Sequence, residues 1–241
     1  MRRAVFLQAR VESRRLPGKA LLPLAGKPVI AHAMESLIRI PADVHAILTD
    51  PVSASTFDDV AQASGFQIFE GEPDDVLKRF ADAARHFEID RYFRATGDNP
   101  LVSARLAEAL ERDHVRQAAD FSGYLGLPLG TGVECVEASA ILSADEESED
   151  QYEREHASPF IYRRPERFRI VRPWAPEEAL LPGAEVTLDT PADYQRLELI
   201  YEELYDGAPI ETSTLVEWFR AREVSSLRND SSILFPIDSP R

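Results

Sequence analysis

Up to about residue 119 the chain alternates short apolar runs with amphipathic segments, and this rhythm constrains its fold more than any other feature. Ala4-Val5-Phe6-Leu7 and residues 44–49, 66–69 and 92–95 read as strands. Helix signals stand between and after them. Val29, Ile30, Ala33, Leu37 and Ile38 follow Gly26-Lys27-Pro28, with the proline suited to the first helical position. A short helix over about 56–64 closes at Gly65. Val76, Leu77, Phe80, Ala84 and Phe87 share one face behind an N-cap at Asp74 or Asp75, and Leu106, Ala109 and Leu110 turn inward behind Ser103. Such alternation predicts an α/β fold, a mostly parallel central sheet with helices on both faces. Ligands of such sheets bind beyond the carboxyl ends of the strands.

The second half is less regular. Residues 119–122 read as a strand, 126–132 as a loop rich in glycine and proline, and 132–137 as a strand with Glu134 and Val136 opposite Val133 and Cys135. The acidic stretch 145–150 is expected as an exposed turn, 152–163 as a helix despite Pro159, and 168–171 as a strand. Residues 185–188 are expected as a last strand delivering Asp189-Thr190-Pro191 at its end. Helices then follow from Pro191 through Leu204 and over about 213–222. With no repeat and no long linker, the preferred division is one domain over 1–224 and a tail over 225–241.

Composition removes several classes. The single cysteine, Cys135, excludes an internal disulfide framework, is expected in the core, and fits a reducing cytoplasm. No run approaches the roughly 18 apolar residues of a membrane span, and the N-terminus has no signal-peptide apolar region. A net charge of -15 argues against nucleic-acid or anionic-membrane binding. His32, His45, His86 and His114 sit in helix or strand patterns and are expected to be structural or exposed, and no Cys/His spacing supports zinc.

Against that acidic background, Arg10, Arg14, Arg15 and Lys19 crowd the one loop between the first strand and the first helix. Cations so concentrated need an anion, and a phosphate chain is the first candidate. The loop matches neither G-x-x-x-x-G-K-[ST] nor G-x-G-x-x-G. The bland alternative is a set of solvated cations with Lys19 paired to a nearby acid; the preferred reading is a clamp on a leaving pyrophosphate. Asp98 and Asp189 each follow an apolar run and each precede a proline within two residues. Alone, either is a turn or cap residue. As a pair with the basic loop they read as the protein's share of a Mg²⁺ site, which takes one or two carboxylates plus phosphate oxygens and waters.

These residues also fall into a recognisable pattern. Gln8-Ala9-Arg10-x-x-Ser13-x-Arg15-Leu16-Pro17-Gly18-Lys19, with Gly26-Lys27-Pro28, resembles the signature of the sugar-acid cytidylyltransferases, such as the CMP-3-deoxy-manno-octulosonate and CMP-acylneuraminate synthetases. Gly71-x-x-Asp74-Asp75-Val76-Leu77 and Thr96-Gly97-Asp98-x-Pro100-Leu101 resemble their spore-coat polysaccharide biosynthesis (SpsF-like) branch. So do Tyr152-x-Arg154-Glu155-His156-x-x-Pro159 and Leu188-Asp189-Thr190-Pro191-x-Asp193. The first motif is fairly specific, and the others are weak singly and strong in sequence.

The resemblance implies a Rossmann-like nucleotide-diphospho-sugar transferase fold, CTP and a sugar acid as substrates, and a homodimer. It places Gln8, Ala9 and Arg10 on the nucleotide, with Ser13, Arg14 and Thr96 beside them. Arg15 and Lys19 become the catalytic cations on the triphosphate, Asp98 and Asp189 the holders of Mg²⁺, and Glu134, Arg154 and His156 residues toward the acceptor or a subunit interface. Arg14 departs from the family's usual Thr or Ser, and either contacts phosphate or points outward. No dedicated general base is seen, and a metal-lowered hydroxyl pKa can replace one. Two alternatives stand beside this. A sugar-1-phosphate nucleotidyltransferase lacks support because Gln8-Ala9-Arg10 replaces its G-G-x-G-T-R-type loop. A non-catalytic nucleotide-binding subunit would have little use for Lys19, Asp98 and Asp189 together.

Overall fold

The structure is a computed structural model that describes residues 1–13 and 15–228, the last six by backbone alone. Arg14 and residues 229–241 lie outside the described residues, and with them the expected contact of Arg14 and most of the expected tail. In chain order the strands are β1 (Arg3–Gln8), β2 (Pro23–Leu24), β3 (Lys27–Pro28), β4 (Val44–Thr49), β5 (Gln67–Glu70), β6 (Arg91–Thr96), β7 (Phe121–Gly123), β8 (Glu134–Glu137) and β9 (Ile170–Val171). The helices are α1 (Val29–Leu37), α2 (Pro51–Ala54), α3 (Asp58–Ser64), α4 (Val76–His86), α5 (Ala104–Arg116), α6 (Ala138–Glu147), α7 (Gln151–His156), α8 (Pro159–Tyr162), α9 (Pro191–Leu204) and α10 (Thr212–Arg228).

The main sheet runs β5-β4-β1-β6-β8-β7-β9, with β2 and β3 forming a separate antiparallel ribbon. β1 lies inside the sheet because its run Ala4 to Leu7 can be buried on both faces, and all four residues are fully buried. Phe6 faces Phe80, Tyr92 and Ala140 on one side; Val5 and Leu7 face Ile30, Met34 and Leu110 on the other. The pairs β1–β4, β1–β6, β4–β5 and β7–β9 are parallel, and β8 alone runs against both neighbours. The expected mostly parallel sheet with a helical layer on each face is therefore found, and the fold is Rossmann-like.

Several expectations needed correction. Residues 185–188 are extended but belong to no strand. Val186 and Leu188 donate backbone bonds to Leu129 and Asp98, and only Glu185 bridges a neighbour, Leu129. Pro28 is the N-cap of α1 and not its first residue, and α1 stops at Leu37, leaving Ile38 41% exposed. The helix expected over 152–163 is two. Ala157 at φ +64 ends α7, and Pro159 opens α8, where its missing N–H removes no bond. The acidic stretch 145–150 is no loose turn: it closes α6, and its Asp150 caps α7. Ala104 and Ala107 are the buried alanines of α5, and Ala109 is only half-buried. α10 continues to Arg228, past the expected boundary at 224.

A third apolar cluster matters for the site. Leu188, Leu197, Ile200, Tyr201, Leu215 and Trp218 from the chain's last third pack on Leu24, Val29 and Leu101 from its first half. This cluster seats the segment carrying Asp189 beside the sheet's carboxyl edge.

Candidate active site

Three segments meet at that edge. The first is the loop leaving β1. Val11 N donates to Ser53 Oγ at 3.0 Å, and Lys19 N returns to Leu16 O at 3.2 Å, so the loop folds back before a 3₁₀ turn at Lys19–Leu21. Ala20 is buried beneath it, which fixes the direction of the Lys19 side chain.

The second segment is the exit of β6. Gly97 N donates to Gln8 O at 2.8 Å, joining it to the end of β1. A Cβ on Gly97 would lie 3.0 Å from Ala9 Cβ and 3.2 Å from Ile30 Cδ1, so the close approach of the two chain segments calls for glycine. Thr96 Oγ1 donates to Asp98 Oδ1 at 2.6 Å, and Asn99 Nδ2 donates to Thr96 Oγ1 at 2.9 Å. Asp98 therefore leaves its turn with a fixed side chain and its other oxygen free to turn inward.

The third segment is 185–190. Leu188 N donates to Asp98 O at 2.9 Å, setting Asp189 one residue beyond Asp98's own backbone. Thr190 then caps α9 in a capping box with Asp193, so neither Asp98 nor Asp189 is consumed as a cap.

Lys19 joins all three. Its Nζ lies 2.6 Å from Asp98 Oδ2 and 2.8 Å from Asp189 Oδ1, with only 15% of the side chain exposed. Arg15, largely exposed, reaches the same Asp189 oxygen at 2.9 Å. Burial pushes the Asp189 carboxyl up, but the hydrogen bond and charge of Lys19, then those of Arg15, outweigh it and hold the group below its ordinary value. Two hard carboxylates already share one cation. That is the donor chemistry a divalent ion needs, and no group of three or more His, Cys, Asp or Glu converges among the described residues. A metal held here would complete its shell from substrate oxygens and water.

The other expected residues divide. Ala9 is buried, Ser13 is half-buried and Arg10 is exposed along the basic loop. Gln8 and Glu134 are linked through Arg94, whose Nη2 donates to Gln8 Oε1 at 3.0 Å and Nη1 to Glu134 Oε2 at 3.1 Å. Ser158 Oγ donates to the same Glu134 oxygen at 2.5 Å. Arg154 is not brought to Glu134. Its Nε donates to Asp75 Oδ2 at 2.5 Å, its Nη2 to Asp145 Oδ1 at 2.9 Å and its Nη1 to Ser148 O at 2.9 Å, tying α7 to α4 and α6. His156 is exposed, with its ring 4.3 Å from that of Tyr152. Sequence reasoning missed Arg94 and Ser158. A charge inside the run Tyr92-Phe93-Arg94-Ala95 was the available signal for the first, and nothing marked the second.

The remaining candidates are structural. Cys135 is fully buried, and burial pushes its thiol well above the usual range. His32 is buried against Leu24 O at 2.7 Å, and burial lowers its pKa, as it does for His45. His114 is enclosed between Ser122 and Glu137. No helix among the described residues is long and apolar enough to cross a membrane.

Comparison with known proteins shows the family and the fold. The family model described as cytidylyltransferase matches residues 4–209. The chain is 30% identical over 220 residues to the spore coat polysaccharide biosynthesis protein SpsF of Bacillus subtilis (strain 168), a match covering 88% of this chain and 91% of that protein. A cytidylyltransferase from Leptospira borgpetersenii serovar Hardjo-bovis shares the fold at a TM-score of 0.86 and 24% identity, over 98% of this chain and 100% of that one. A CMP:2-keto-3-deoxy-manno-octonic acid synthetase solved with CTP shares it at 0.66 and 18% identity, over 84% and 99%.

Proposed function

Because the chain belongs to the cytidylyltransferase family, we propose that it transfers CMP from CTP to a sugar acid or related hydroxy acceptor. Pyrophosphate is released, and the product serves surface polysaccharide or glycoconjugate synthesis. The observation that carries this reading is Lys19 lodged between Asp98 and Asp189 at the carboxyl edge of the sheet.

The acceptor hydroxyl attacks the α-phosphorus in line, the bond to the β-phosphate oxygen breaks, and negative charge gathers on the departing pyrophosphate. Lys19 and Arg15, freed from the carboxylates, neutralise that charge. Asp98 and Asp189 are the residues that would hold a divalent cation such as Mg²⁺, which supplies polarisation of the phosphate and a lowered hydroxyl pKa when bound. Gln8, Ala9 and Arg10, with Ser13 and Thr96, form the nucleotide side. Glu134 and the exposed His156 face the acceptor. Arg154 acts behind them, holding α7 through Asp75 and Asp145. A homodimer working in the cytoplasm completes the reading.

The test is pyrophosphate release with each of the four ribonucleoside triphosphates, against a panel holding 2-keto-3-deoxy-manno-octonic acid, other sugar acids and sugar 1-phosphates. Release that requires CTP, a sugar acid and a divalent cation is expected. Release with sugar 1-phosphates instead points to the other transferase class, and none with any pair points to a binding subunit.

A further inference from the structure

The strand pair β6–β8 carries two arginine–glutamate pairs that differ in how fully they are satisfied. At the start of β6, Arg91 faces Glu137 in register and donates to it from Nε at 2.6 Å. His114 Nε2 lies 2.9 Å from the same carboxylate, and its Nδ1 lies 2.8 Å from Ser122 Oγ. Arg91 is 6% exposed at its side chain and also reaches Glu111. This knot is closed on itself, and a structural role accounts for it.

Toward the carboxyl end of β6, the second pair is open. Arg94 faces Glu134 on β8 and Phe6 on β1, and its guanidinium lies 5.6 Å from the centre of the Phe80 ring. One fork holds two residues on opposite sides, Gln8 and Glu134. Arg94 Nε is buried without a partner, and Glu134 Oε1 accepts no bond among the described residues. A guanidinium inside a central strand is costly unless it is fully paired, and here one nitrogen of Arg94 stays unsatisfied. Arg94, Thr96 and Gln8 share one face of the sheet, two residues or one strand apart, so the open pair adjoins the turn holding Asp98.

The fork has a chemical consequence on each side. A glutamine amide is nearly symmetric in shape but has a donor end and an acceptor end. By taking Oε1, Arg94 leaves the amide nitrogen of Gln8 outward as a donor, the complement of a cytosine ring nitrogen or carbonyl. By taking Oε2 together with Ser158, it leaves Glu134 Oε1 as an acceptor for a hydroxyl. We propose that Arg94 is a positioning residue joining the two substrate pockets: it sets Gln8 as a donor to the nucleotide base and Glu134 as an acceptor to a hydroxyl of the sugar acid. This rests on the cytidylyltransferase reading of the same site.

Arg94→Lys separates the two sides. A lysine keeps a cation opposite Glu134, but one ammonium cannot hold Gln8 in a fixed plane as well. CTP binding is measured calorimetrically with Mg²⁺ and no acceptor, and the acceptor KM by pyrophosphate release with the panel acid the wild type uses. Arg94→Lys is expected to weaken CTP binding about tenfold, as Gln8→Ala does, with the double variant no weaker than either and the acceptor KM little changed. Arg94→Met is expected to raise the acceptor KM about tenfold as well, matching Glu134→Gln. CTP affinities within about twofold of wild type in both Arg94 variants overturn the proposal, as does full additivity with Gln8→Ala. Where Arg94→Met does not fold, the Arg94→Lys arm decides. A wild type that releases no pyrophosphate overturns the parent reading instead, and calorimetry with CTP still decides the role of Arg94.

Discussion

Lys19 and Asp189 stand 170 positions apart in the chain and meet at 2.8 Å, with Asp98 on the far side of the same ammonium. The lysine occupies the place between two carboxylates that a divalent ion would take under the proposed function, so ion and ammonium would compete until a phosphate chain drew the lysine away. Lys19→Met is therefore expected to bind Mn²⁺ without nucleotide about tenfold more tightly than wild type, as removal of one adjacent cation implies. The same variant is expected to lose roughly 100- to 1,000-fold in turnover. Titration calorimetry with Mn²⁺ alone checks the first, and weaker ion binding by the variant would refute the competition.

Asp189 is held below its ordinary carboxyl pKa in the folded state. A lowered folded pKa contributes stability that is present above the unfolded value of about 4 and is lost as pH falls through the folded value. Wild type should therefore lose more stability on acidification below about pH 4 than Asp189→Asn does. Urea unfolding of both proteins across that range measures the difference; parallel curves would count against the ion-paired state of Asp189. At neutral pH, Asp189→Asn should remain folded and nearly inactive.

Two glycines near the site should respond differently to alanine. Gly97→Ala brings a Cβ to 3.2 Å from Ile30 Cδ1, which a side-chain adjustment can relieve, and to 3.0 Å from Ala9 Cβ, which only a small backbone shift can. About 1–3 kcal/mol of destabilisation is expected. Gly130 sits at φ +102, and a Cβ there would lie 2.8 Å from the backbone nitrogen of Thr187. Backbone cannot give way so easily, and Thr187 lies two residues from Asp189. Gly130→Ala should cost more stability than Gly97→Ala and reduce kcat beyond what its loss of folded protein explains. Thermal melts beside activity per folded molecule make the comparison.

The two arginine–glutamate pairs of β6–β8 give a contrast between support and function. Burial pushes the Glu137 carboxyl up, but bonds from His114 and Arg91 outweigh it and hold the group below its usual range. Glu137→Gln leaves Arg91 without its carboxylate inside the protein and should cost about 3–5 kcal/mol while leaving KM values for both substrates alone. Glu134→Gln should do the reverse, raising the acceptor KM with a smaller change in stability. Equal loss of stability in the two variants would remove the distinction.

Much of this site was legible because its residues sit where local rules and motif agree. β1, β4 and β6 are short apolar runs since both their faces are covered, and Lys19, Asp98 and Asp189 stand beside glycine and proline punctuation that survives folding unchanged. The remainder depended on contacts the sequence does not display. Residues 185–188 have a strand's composition, yet the segment leaves Leu129 for the turn of Asp98 after one bridge. The stretch 145–150 looked like a solvated turn because five of its six residues are acidic, but Asp145 is drawn to Arg85 and Arg154 on other elements. Arg154 stood in a family motif, and only the packing of α7 on α4 and α6 reveals that its bonds go to Asp75, Asp145 and Ser148. Arg94 was hidden by the apolar run around it.

The clamp on Asp189 has a consequence for synthesis. Its neighbour Leu188 docks on Asp98 from behind, and α9 and α10 wedge it there through Leu197, Ile200 and Leu215. A nascent chain carrying the whole basic loop and the whole of β6 would still hold only one of the two carboxylates that meet Lys19. The pair of carboxylates around Lys19 is thus assembled only when the chain's last third folds onto its first half.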